Sequence, residues 1–129
     1  MRWGTTLRLA VLFLAAFPLQ AALAAAPAEF SDTAFATAQA QGRTIVVESY
    51  ASWCLPCRIQ SPILDSLRSR DPFKQVLVLR IGERTPSPIW KRLRLNGYGT
   101  LIVYKGGLEM GRGNPTSESA VVDLLRRGL

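Results

Sequence analysis

Along this chain apolar residues come in short blocks set apart by turn signals, and the spacing within each block predicts its element. Ser31 or Asp32 offers a side-chain oxygen to cap a short helix running to about Gln41, which Gly42 ends. Thr44 to Tyr50 is rich in β-branched residues and reads as a strand. A second helix begins near Cys54 and Cys57 and extends toward Arg70. Pro62 is expected to kink or interrupt it, because proline lacks an amide donor and its ring crowds the preceding turn. Lys74 to Ile81 is the next strand, and its continuous apolar run Val76-Leu77-Val78-Leu79 suits a strand covered on both faces. Ser87 to Leu95 predicts a short helix opening near Pro88, and Thr100 to Tyr104 another strand. Lys105-Gly106-Gly107 then turns the chain into a short strand around Leu108 to Arg112. Thr116 and Ser117, followed by Glu118, open the last helix, which is apolar at Val121, Val122, Leu124 and Leu125 and basic at Arg126 and Arg127.

The resulting order, α, β, α, β, α, β, β, α, predicts an α/β fold with helices on both faces of a central sheet. The closing hairpin makes that sheet mixed. No repeat, low-complexity run or long linker divides the chain, so one domain with a single core is expected.

The amino end breaks this pattern. Arg2 and Arg8 flank a start without acids, Leu9 to Phe17 is continuously apolar, and the stretch to Ala26 is mostly alanine, which is the three-part layout of an export signal. Ala22-Leu23-Ala24 places small residues where a signal peptidase inspects them. Cleavage before Ala25 therefore divides the chain into a targeting segment, 1–24, and a domain of 105 residues, 25–129. The competing reading is an uncleaved anchor, since Leu9 to Ala26 is long enough to span a bilayer core; only then is membrane contact expected. Either reading puts the folded part in the periplasm or otherwise outside the cytoplasm.

Composition narrows the chemistry. The 129 residues include two cysteines and no histidine, which excludes a Ser–His–Asp triad and a His–Cys zinc set. Without Arg2 and Arg8 the chain keeps 14 basic residues against nine acidic ones. Arg80, Arg84, Lys91, Arg92 and Arg94 lie close together in sequence and read as a solvated basic face. No nucleic-acid module accompanies them, so no nucleic-acid partner is expected.

Thiol chemistry rests on Cys54 and Cys57, spaced Cys-x-x-Cys just beyond a strand and at the start of a helix. The helix amino end favours a thiolate, so Cys54 is expected to attack; Cys57, a turn inward, is placed to resolve the mixed disulfide. A plain structural bridge is the first alternative, but so short a loop makes a weak staple. The second is metal handling: a thiolate pair suits soft Cu(I), with Met110 or another protein adding a ligand, although ordinary strand packing is the stronger explanation of Met110.

The segment Tyr50-Ala51-Ser52-Trp53-Cys54-Leu55-Pro56-Cys57, with Pro62 beyond it, resembles the active-site motif of the thioredoxin family. The resemblance extends from about Phe30 to Leu129 and implies a thioredoxin-like three-layer sandwich, a central mixed β-sheet flanked by helices. It implies that Glu48 is a buried carboxylate assisting proton transfer at Cys57, with Arg80 near a position that often carries lysine; the competing reading is an outward-facing glutamate. A substrate-facing set follows: Trp53, Leu55, Pro56, Tyr98, Gly99 and Thr100. Gly99 stands where similar proteins have a cis-proline facing the cysteines. A trans bond is expected there, because a non-proline cis bond costs about 2.5 to 4 kcal/mol. Arg58 adds positive charge beside the site. The implied activity is thiol–disulfide exchange with protein thiols or disulfides, needing no cofactor, neither flavin nor nicotinamide, but a separate thiol–disulfide donor or acceptor. A Cu(I) carrier and a non-catalytic binding module are the alternative classes.

Overall fold

The computed structural model describes residues 26–129, so the export reading of 1–24 lies outside the described residues. Ten elements follow in order: β1 (Ala28–Glu29), α1 (Asp32–Ala40), β2 (Thr44–Ser49), α2 (Leu55–Arg68), a 3-10 turn (Phe73–Gln75), β3 (Leu77–Ile81), α3 (Ser87–Arg92), β4 (Leu101–Lys105), β5 (Leu108–Gly113) and α4 (Glu118–Arg126). The strands form one sheet in the order β1-β3-β2-β4-β5. β1, β3 and β2 run parallel to one another, while β4 is antiparallel to β2 and β5 to β4, so the sheet is mixed as expected.

Alternation along the central strands divides the core into two layers. Val46, Val78, Leu101 and Val103 face α2 and α4, packing on Leu64, Leu67, Val121, Leu124 and Leu125. Ile45, Val47, Leu79, Ile81 and Ile102 face the other way, toward Ala38 of α1 and the α3 region with Leu93 and Leu95. The α2–sheet–α1/α3 sandwich is the predicted architecture. Caps delimit the helices as the sequence suggests: Ser31 Oγ accepts the Ala34 amide at 3.1 Å, and Ser117 Oγ accepts that of Ala120 at 3.3 Å. Leu125 is fully buried between α4 and the sheet. Leu125→Ala is expected to destabilise by about 2 to 5 kcal/mol in denaturant unfolding, from lost burial plus the cavity left behind.

Three expectations are corrected or narrowed. The strand placed at Lys74–Ile81 begins at Leu77, because the chain first makes the 3-10 turn that sinks Phe73 into the core. Of the kink or interruption expected at Pro62, the interruption does not occur, and α2 runs unbroken to Arg68. The basic run is exposed and solvated except at Arg80, which is largely withdrawn against Glu48; Arg84, Arg92 and Arg94 pair at the surface with Glu29, Asp32 and Glu109. The short edge strand β1 extends the expected element order.

Candidate functional site

The site lies at the carboxyl end of β2, where a turn through Tyr50–Trp53 leads into α2. Cys54 is the residue that caps α2: its backbone is extended (φ −81°, ψ 113°), its carbonyl accepts the Arg58 amide at 3.1 Å, and its Sγ accepts the Cys57 amide at 3.3 Å. Pro56 is tolerated because the first-turn amides have no partner inside the helix. Cys54 and Cys57 are joined in a disulfide with Cα atoms 5.3 Å apart. Cys57 is 0% exposed and Cys54 7%, so the pair is asymmetric: both are buried, and only the outer residue keeps any exposure. On reduction, the positive end of α2 favours negative charge on Cys54.

Glu48 and Arg80 are register partners on β2 and β3, two residues beyond Val46 and Val78, so both side chains point to the α2 face. Glu48 is completely buried. Arg80 Nε donates to Glu48 Oε2 at 3.0 Å, its NH2 group donates to Ser61 Oγ of α2 at 2.8 Å, and its guanidinium lies 3.8 Å from the Tyr50 ring centroid. Burial pushes the Glu48 carboxyl above the ordinary carboxylate range; Arg80 and Ser61 pull against that shift, and Asp65 adds weakly to it. The outward-facing reading of Glu48 therefore gives way to a buried carboxyl.

An apolar rim surrounds the sulfurs. Trp53 and Leu55 are each 65% exposed, and Pro56 and Arg58 are exposed beside them. The Trp53 ring meets the half-buried Tyr98 edge to face at 5.0 Å, Tyr98 meets Trp90 at 5.2 Å, and Trp53 Nε1 donates to Glu83 Oε1 at 2.6 Å. Gly99 is buried against the disulfide with φ +87°, and the peptide entering it is trans. A Cβ at Gly99 would lie 3.3 Å from Pro56 Cβ and 3.7 and 3.9 Å from the two sulfurs. Thr100 is turned differently from the rest: its Oγ1 accepts from Asn114 Nδ2 at 3.1 Å. Met110 stands on β5, outside the group of Tyr50, Ala51 and Tyr98 packed on the cysteines. Among the described residues no three His, Cys, Asp or Glu side chains converge as a metal set.

Sequence reasoning missed Ser49, Gln60, Ser61, Glu83 and Asn114, which fix these groups from behind. Gln60 left a readable signal. It falls on the stripe Cys57, Gln60, Leu64, Leu67 that α2 buries, where an amide is out of place unless it is bonded.

The sequence model of the thioredoxin family matches residues 26–126. Thioredoxin of Chlamydia muridarum is 33% identical over 78 residues, which cover 60% of this chain and 74% of that protein. The thioredoxin of Coprinus comatus is 29% identical over 84 residues, 63% of this chain and 79% of its own. Among solved structures, Trxlp from Edwardsiella tarda EIB202 superimposes with a TM-score of 0.71 at 34% identity, covering 75% of this chain and 95% of that one. Thioredoxin from Trypanosoma brucei brucei shares the fold with a TM-score of 0.68 at 18% identity, over 85% of this chain and 96% of its own. In this fold a Cys-x-x-Cys disulfide at the start of a helix carries oxidoreductase chemistry. With a family match running from before β1 to the last turn of α4, the chain belongs to the thioredoxin family.

Proposed function

We propose that the protein exchanges electrons with protein disulfides outside the cytoplasm, Cys54 attacking and Cys57 resolving. The observation that carries this reading is the asymmetry of the pair, a cysteine that caps α2 and keeps slight exposure and a fully buried one a turn inside it. In the reducing direction the Cys54 thiolate attacks one sulfur of a substrate disulfide, forming a mixed disulfide and releasing one substrate thiolate, which takes a proton. Cys57 gives its proton to Glu48 and attacks Cys54 Sγ, closing the intramolecular disulfide and releasing the second substrate thiol. The substrate gains two electrons from the pair and two protons, one relayed from Cys57 by Glu48 and one from solvent. A separate dithiol protein restores the reduced pair, and the same steps reversed oxidise a substrate dithiol. No organic cofactor enters either direction.

Trp53, Leu55, Pro56 and Tyr98 supply the apolar surface on which a protein substrate docks, and Gly99 with Thr100 forms its wall beside the sulfurs, Gly99 holding the place of the family's cis-proline. The segment 1–24 directs export, and the domain that acts is 25–129. Equilibration against glutathione buffers tests the reading: a single two-electron transition is expected for the native pair and none after Cys54→Ala. Mature protein isolated from an exported fraction is expected to begin at Ala25. Failure of the native pair to exchange with glutathione would sink the redox reading, and retention of the protein in the cytoplasm would sink the location.

A further inference from the structure

Gly99 poses a mechanical problem. It is the part of the rim where a Cβ would come into van der Waals range of both sulfurs, yet glycine is the residue with the freest backbone, and here it sits at φ +87° without a ring or side chain to stiffen it. The structure surrounds this one residue with polar partners from β2, α2 and the loop after β5. Its N–H donates to the Ser49 carbonyl at 2.8 Å, a bond that proline in this place is unable to make. Its carbonyl accepts from Gln60 Nε2 of α2 at 2.8 Å and from Asn114 Nδ2, just beyond β5, also at 2.8 Å. The next amide, Thr100 N–H, donates to Ser49 Oγ at 2.9 Å.

Gln60 makes this arrangement costly, and hence informative. The side chain is 0% exposed on the buried stripe of α2, and its Oε1 has no partner among the described residues. Burying an amide half satisfied is unfavourable, whereas an apolar residue of the same length would fill the space without that cost. The bond it does make goes to the Gly99 carbonyl.

We propose that Gln60 and Asn114 are positioning residues that clamp the Gly99 carbonyl and so hold the Tyr98–Thr100 rim against the sulfurs, replacing with two hydrogen bonds the stiffness a ring would provide. The inference rests on the disulfide-exchange reading for its consequence, recognition of a protein disulfide, but not for the clamp itself. The two parts are therefore measured separately. Amide exchange by NMR reads the clamp: in Gln60→Met and in Asn114→Ala, the Gly99 and Thr100 amides are expected to exchange about tenfold faster, while the Val46 and Ile102 amides in the core keep their protection. Insulin, reduced at the expense of dithiothreitol, reads the consequence: KM rises severalfold, and alkylation of Cys54 by iodoacetamide keeps its rate. Asn114 is exposed, so its variant folds even if the Gln60 variant does not. Unchanged exchange at Gly99 and Thr100 in Asn114→Ala overturns the clamp. Unchanged KM in a variant of an active native protein overturns its role in recognition. A native protein that leaves insulin disulfides intact counts against the disulfide-exchange reading, and the exchange rates still decide the clamp.

Discussion

Cys57→Ser is expected to accumulate a covalent mixed disulfide with its protein partner, and Cys54→Ala none. The two sulfurs are only one helical turn apart, but their surroundings differ. Cys54 caps α2 with 7% of its surface exposed, where the helix end stabilises its thiolate; Cys57 is completely buried behind it. An incoming disulfide therefore meets Cys54 first. Replacing Cys57 removes the thiol that would displace the partner, so the intermediate persists, and multiple turnover falls to background. Replacing Cys54 removes the attacking group itself, and Cys57 is too buried to substitute for it. Non-reducing electrophoresis followed by identification of the trapped chain measures both outcomes. A partner that binds equally well after both cysteines are replaced would support a non-catalytic module. Trapping at Cys57 instead of Cys54 would reverse the assigned roles.

Much of this arrangement was readable before any coordinates, for reasons that differ by element. The caps at Ser31 and Ser117 and the apolar stripe of α4 are local signals, and the structure repeats them. The Cys-x-x-Cys spacing at a strand-to-helix junction is equally local. β1 escaped notice because two residues carry no period. The boundary at Leu77 was obscured because Phe73 and Val76 enter the same core as the strand that follows them, so hydrophobicity alone does not separate turn from strand. Glu48 was ambiguous for a related reason. β2 is buried on both faces, so its sequence does not alternate, and only the register with Arg80 and the α2 face of Val46 reveals where the carboxyl points. The polar partners of Gly99 were out of reach of local reasoning altogether: Gln60 and Asn114 are 39 and 15 residues away from it, and the fold alone brings them to one carbonyl.

The buried carboxyl of Glu48 gives the second large effect. Glu48→Gln is expected to slow the resolving step by about 10² to 10⁴-fold, the usual contribution of a positioned general base. Glu48 suits that task because burial raises its pKa against the opposing pull of Arg80 and Ser61, bringing it closer to that of a thiol than an ordinary glutamate would be. With a rising pH through this raised value, Glu48 loses its proton and becomes able to accept that of Cys57, so the native resolving rate climbs across that window; the glutamine variant lacks this limb. Stability follows the opposite slope. Between the ordinary carboxylate pKa and the raised one, the folded chain holds a proton that the unfolded chain has released. The stabilisation present below the ordinary value is therefore lost as pH rises through the raised one. In Glu48→Gln the side chain keeps its shape and never ionises, so this pH dependence disappears from the unfolding free energy. Rapid-quench analysis of a preformed mixed disulfide measures the rate, and denaturant unfolding from acid to neutral pH measures the slope. A variant that resolves at the native rate and retains the native pH profile would remove Glu48 from the mechanism.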